Sequence, residues 1–204
     1  MKYLIFDSGP IISLTMNGLL PILEKLKENF KGEFIITPSV KKEIVDRPLN
    51  IKKYELEAIQ VRSLIEKKIL KISSEIIPDQ KLEKETKRIL KISNGLLKTV
   101  ETGEKINIIQ EGESSCLAFS NLCRTENVVV TDERTIRLLT EAPQNLESLM
   151  ENKLHTPLKL DNSCLKEFQK FKFIRSSELL FIAYKRNLIP LKKDKQLLDA
   201  LLYG

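Results

Sequence analysis

Two short apolar runs that each stop on an aspartate constrain this chain most. Lys2-Tyr3-Leu4-Ile5-Phe6 runs into Asp7, and Asn127-Val128-Val129-Val130-Thr131 runs into Asp132. Short runs of β-branched and aromatic residues without polar alternation suit strands buried on both faces of a parallel sheet. Glu33-Phe34-Ile35-Ile36 is a second run of this kind, and Ile69-Leu70-Lys71-Ile72-Ser73 a third candidate. Between them lie segments of helical period, the alternation expected of an α/β fold. One helix is expected through Leu14, Leu19, Leu20, Leu23 and Leu26. Another starts at Thr37-Pro38, an N-cap followed by proline in the first helical position, and carries Val40, Glu43 and Ile44. Further helices are expected from Ile51 to about Ile69, from Asp79 to about Val100, from Gly112 through Leu122, and after Asp132 with Ile136, Leu138 and Leu139. From about Asn145 the chain reads as helices broken at Pro157, one of them spanning Arg175 to Leu188.

The length, 204 residues, suits one domain with its own core. Residues 1–145 form the expected domain, and 146–204 a helical extension packed on it. No apolar run approaches the roughly 20 residues needed to cross a bilayer. The apolar stretch before Asp7 is too short for a signal peptide. The chain is therefore expected in the cytoplasm, away from membranes. Cys116 and Cys123 lie on one face of a helix and read as small buried hydrophobes. With a single histidine, His155, zinc sites built on histidine and Ser-His-Asp hydrolysis are disfavoured. Any chemistry falls to carboxylates, lysines and hydroxyls. The net charge is +6, and from Glu151 onward eleven Lys and Arg face six Asp and Glu. A basic tail attracts polyanions, although lysine-rich helices are also ordinary solvated surfaces.

Asp7 and Asp132 follow parallel strands, at the edge of the sheet where ligands bind in open α/β folds. Glu43 and Glu113 fall in the first turns of helices that begin near the same edge. Taken alone, any one of them is most simply a cap or a solvated acid. Four together repel, and a hard divalent cation relieves that repulsion. Mg²⁺ or Mn²⁺ prefers oxygen ligands. Such a cation can activate water and stabilise the leaving oxygen in phosphodiester hydrolysis.

The same residues carry a family resemblance. Tyr3-Leu4-Ile5-Phe6-Asp7-Ser8-Gly9-Pro10-Ile11-Ile12-Ser13-Leu14 resembles the opening of a PIN domain, the nuclease fold of VapC-type toxins and several RNA-processing enzymes. Ile36-Thr37-Pro38-Ser39-Val40-Lys41-Lys42-Glu43-Ile44, Gly112-Glu113-Ser114-Ser115-Cys116-Leu117-Ala118 and Val129-Val130-Thr131-Asp132-Glu133-Arg134 are similar to its later blocks, in order, over roughly residues 1–140. The resemblance implies a three-layer α/β/α sandwich around a parallel sheet of four or five strands, followed by C-terminal helices. It implies an Mg²⁺- or Mn²⁺-dependent endoribonuclease with Asp7, Glu43, Glu113 and Asp132 as metal ligands. Ser8 or Thr131 would supply a hydroxyl to a metal-bound water, and Arg134 would contact phosphate. RNA is the implied substrate, with an antitoxin protein and a second copy of the chain as the partners to look for. One departure stands out: that branch commonly carries a second acid two residues after the first in the third block, where this chain has Ser115. Ser115 and the basic tail motivate the alternative, a non-catalytic PIN-like RNA-binding or regulatory module. An aspartyl-phosphate mechanism through Asp7 is disfavoured, since the second aspartate expected two residues on is Gly9. No G-x-x-x-x-G-K-[ST] loop supports nucleotide hydrolysis.

Overall fold

A computed structural model describes residues 2–203. Strand β1 (Tyr3–Phe6) lies at the centre of a five-stranded sheet. On one side it pairs in parallel with β2 (Glu33–Ile36), which pairs with β3 (Leu70–Ile72). With β5 (Asn127–Val130) and β7 (Phe173–Ile174) on the other side, the order across the sheet is β3-β2-β1-β5-β7, and every pairing is parallel.

Asp7 and Ser8 lead directly into helix α1 (Ser8–Met16), with Asp7 as N-cap. The single helix expected through Leu26 is in fact two, because Gly18 adopts φ +66° and Pro21 precedes α2 (Ile22–Asn29). A left-handed residue cannot continue a right-handed helix, so the chain turns there. After β2, Thr37 caps the short helix α3 (Pro38–Lys41), its hydroxyl accepting from Val40 N. The chain then widens into a π-helical turn over Lys42–Asp46 that carries Glu43. Such turns are uncommon and concentrate at functional sites.

Helix α4 (Glu55–Glu66) buries Ala58, Val61 and Leu64. Helix α5 (Asp79–Ser93) stops well short of the Val100 end expected from its charge pattern. Gly95 follows, and β4 (Leu97–Thr99) begins. Helix α6 (Glu111–Leu122) packs along α5 and against β1 and β5 (Asn127–Val130). Helices α7 (Arg134–Glu141) and α8 (Pro143–Leu154) follow.

The segment from residue 146 onward is not purely helical. It contributes β6 (Leu158–Leu160), antiparallel to β4, and β7 (Phe173–Ile174), which becomes the fifth strand of the main sheet beside β5. Only then come α9 (Ser176–Lys185) and α10 (Lys195–Tyr203). The tail is thus woven into the sheet. Contacts group α1 with α4 and α9 on the one hand, and α3 with α6 and α5 on the other. These sets are the outer layers of a three-layer α/β/α sandwich.

The core forms one continuous cluster around the sheet. Phe6 and Phe34 meet at 5.2 Å between ring centroids, and Tyr3 meets Phe119 edge-on at 5.7 Å. Cys116 is buried in this core, Cys123 and Cys164 are half-buried, and all three are free thiols. Burial pushes the Cys116 thiol well up, so it is inert rather than nucleophilic. No helix of the described residues is long and apolar enough to cross a membrane.

Candidate metal centre

Strand register brings the two aspartate segments together. Phe6 pairs with Val130, and Asp7 N donates to Val130 O at 3.0 Å. The first residue beyond β1 therefore lies against the first beyond β5. Asp7 is 5% exposed, with Oδ1 accepting from Ser8 N at 2.8 Å and Oδ2 from Thr131 Oγ1 at 2.9 Å. Thr131 is fully buried and its hydroxyl is committed to Asp7. It orients the Asp7 carboxylate, and its oxygen also accepts from Glu133 N at 3.3 Å.

Glu43 arrives from the π-helical turn. A Cβ placed on Gly112 would lie 2.8 Å from Glu43 Oε1 and 3.1 Å from Oε2. Glycine at 112 is what lets this carboxylate settle against the start of α6. Glu113 is the third residue of α6, and its side chain reaches back to Gln110 N while the Gln110 side chain accepts from Glu113 N. This reciprocal cap satisfies two of the helix's open donors and fixes the Glu113 rotamer. Asp132 is exposed, and its Oδ1 accepts from Ser176 N at 2.8 Å at the start of α9. The tail therefore positions a carboxylate of the candidate site.

Asp7, Glu43, Glu113 and Asp132 line a single cleft of about 320 Å³ together with Glu133, which the sequence reading passed over. Glu133 also caps α7, accepting from Thr135 N at 3.2 Å and Thr135 Oγ1 at 2.8 Å. Its only signal in the sequence was its place beside Asp132, which looks like an ordinary cap. Ser8 lines the cleft as well. Arg134 is exposed at the start of α7 and is not among the cleft's lining residues, so the expected phosphate contact has no support there. A separate, largely apolar groove of about 450 Å³ between α1 and α4 shares Glu43 with the cleft, but little of its surface is polar.

The acids strain against one another. Burial pushes the Asp7 carboxyl up to about 6; the Ser8 amide and Thr131 hydroxyl pull it back, and the charges of Glu43 and Glu133 push it further up. Glu113 rises to about 7, first through burial, with the Gln110 amide opposing and Asp7, Glu133 and Glu43 adding. Carboxylates held at such values near neutral pH mark a site that gains from a positive charge. Among the described residues, however, no three His, Cys, Asp or Glu side chains stand as a ready-made metal cage. The four-ligand cage expected from the sequence is a shared cleft in which several oxygens already accept protein hydrogen bonds. Mg²⁺ is commonly bound through one or two carboxylates with waters filling the other positions, so this donor set of hard oxygens still fits it.

Ser115 does not face the cleft. It is 2% exposed, donates to Gly112 O at 2.6 Å and shares a 2.5 Å hydrogen bond with Thr37 Oγ1. An aspartate there would be a buried carboxylate that does not line the cleft. Ser115→Asp is accordingly expected to destabilise the fold by about 2–4 kcal/mol without raising any activity, read by urea denaturation beside the activity assay. A gain in activity at unchanged stability would contradict this placement.

Neither family models nor searches of curated proteins and of solved structures give a match to this chain, so what the site does has to be argued from its own residues.

Proposed function

We propose that this protein is a divalent-metal-dependent endoribonuclease of the PIN-like kind. The observation carrying this reading is that five carboxylates from four separate stretches of chain line one cleft at the C-terminal edge of a parallel sheet. Two of them, Asp7 and Glu113, are pushed toward neutral pH by burial and by neighbouring carboxylates.

Asp7 and Glu113 are the best-placed holders of Mg²⁺ or Mn²⁺, because both are preoriented by hydrogen bonds and both gain most from a cation. Glu43 and Asp132 would complete the charge and hold water around it. The cation supplies Lewis-acid activation of water and stabilisation of the leaving oxygen. The protein's own part is positional. Thr131 and the Ser8 amide fix the Asp7 carboxylate, the α6 cap fixes Glu113, and the Ser176 amide fixes Asp132. Such fixed geometry is what brings the reacting groups into line.

The test is cleavage of an end-labelled single-stranded RNA with Mn²⁺, with Mg²⁺ and with EDTA. Internal cuts that require the metal and vanish in EDTA are expected. RNA binding that survives EDTA with no cutting under any metal would instead favour the non-catalytic RNA-binding module.

A further inference from the structure

A second cavity of about 500 Å³ adjoins the carboxylate cleft, and Gln110, Glu113 and Glu133 line both. The geometry points to this second cavity as a ribonucleoside subsite, which takes the base and ribose next to the phosphate held at the carboxylates and selects RNA over DNA. The inference rests on the nuclease reading for the position of that phosphate.

The cavity combines surfaces that a nucleoside needs and a bare phosphate does not. Leu90, Ile108 and Met150 give it apolar walls, suited to the face of a base. Asn107 and Gln110 bring side-chain amides, which both donate and accept and so match the edge of a base. The Asn107 side chain is exposed and has no hydrogen-bond partner among the described residues. Glu111 and Glu133 bring acceptors only. Acceptors would repel phosphate, but they suit ribose hydroxyls, and a 2′-hydroxyl is the donor that deoxyribose lacks. The cation among the lining residues is Lys153, in α8, which suits the next phosphate along the strand.

The cavity is built rather than incidental. Its upper wall is the loop before α6, and Asn94 at the end of α5 holds that loop with three bonds. Asn94 Oδ1 accepts from Ile108 N at 2.8 Å and Ile109 N at 3.0 Å, while Nδ2 donates to Ile109 O at 3.0 Å. Another wall, from α8, is anchored to β6 through Glu151, which accepts from Leu158 N at 2.9 Å. Both walls are therefore fixed to regular elements, and a size of 500 Å³ is in the range of small-ligand pockets.

The experiment is calorimetric binding of the four ribonucleoside 5′-monophosphates and their deoxy counterparts in magnesium buffer. It uses the wild-type chain, Asn107→Trp and Lys153→Ala. Both substituted residues are exposed and lie outside the carboxylate cleft, so the fold and Mn²⁺ affinity are expected to persist. Wild type is expected to bind at least one ribonucleotide about tenfold tighter than its deoxy form, the discrimination one charge-assisted hydrogen bond gives. Asn107→Trp, which fills the cavity, is expected to weaken that binding about tenfold or more, and Lys153→Ala by a smaller factor. Equal affinity for ribo and deoxy forms, no binding by wild type, or binding unchanged in Asn107→Trp would overturn the subsite. The RNA-cleavage assay fails or succeeds separately: ribose-selective binding without cleavage would count against the nuclease reading and leave the subsite standing.

Discussion

Asp7→Asn is expected to reduce metal-dependent RNA cleavage by well over 100-fold while making the metal-free protein more stable. Substitutions in the shell around a metal ligand already cost about 10–100-fold, so loss of a central ligand should cost more. The stability gain follows from the direction of the pKa shift. Asp7 rises from 3.8 to about 6 on folding. A raised acid binds its proton more tightly in the folded state, so stability falls as pH rises from about 4 to about 6 and stays lower above that. At about 1.4 kcal/mol per unit the penalty at neutral pH is about 3 kcal/mol. Asn keeps the shape and the hydrogen-bond acceptor but loses one charge-assisted bond, worth about 1.5–3 kcal/mol. A net gain of up to about 1.5 kcal/mol is expected near pH 8, with none near pH 4, measured by urea denaturation of both proteins in EDTA. Glu113, raised from 4.5 to about 7, extends the wild-type decline toward pH 7 in the same direction. A variant that is less stable than wild type at pH 8 would show that Asp7 is a structural acid.

Gly112→Ala is expected to reduce cleavage by about 10–100-fold at small cost to the fold. The added methyl would lie 2.8 Å from Glu43 Oε1, closer than nonbonded atoms tolerate. What it meets is the free end of a flexible side chain, so the carboxylate swings away and the backbone stays. Alanine is also the better helix former, which offsets some strain by about 1 kcal/mol. Activity should therefore fall with a change in stability of less than about 1 kcal/mol. The paired variant Gly112→Ala with Glu43→Ala removes the clash and tests the cause. If Glu43 is the target, the double variant should be no less active than Glu43→Ala alone. A further drop would place the effect on α6 itself.

Much of the sheet's interior is legible in the sequence because its strands are buried on both faces. β1, β2 and β5 appear as unbroken apolar runs, and the Thr37-Pro38 start of α3 carries its own cap chemistry. The elements that were missed are short or peripheral. β4 and β6 have three residues each and β7 has two, and all three fall in stretches whose pattern reads as helix or as a break between helices. The helix expected to run to Val100 stops at Ser93 because Asn94 turns its side chain to the loop before α6. That same bond set builds a wall of the second cavity. At the site, the four acids that the sequence picked out do line one cleft, but the sequence hides how they are held. Thr131 is an orienting donor, Ser115 faces Thr37, and the amide that holds Asp132 comes from residue 176. Such a partner, 44 positions away, becomes visible only once β7 closes on β5.

The most direct measurement is calorimetric titration of the purified protein with Mn²⁺, with Asp7→Asn in parallel, at about pH 5 and about pH 8. Because protons compete for Asp7 and Glu113, the account predicts a cation site in wild type that tightens as pH rises. It predicts that this site is lost in Asp7→Asn. Absence of binding to the folded wild type at both pH values, or binding that Asp7→Asn leaves unchanged, would contradict a metal centre at the carboxylate cleft.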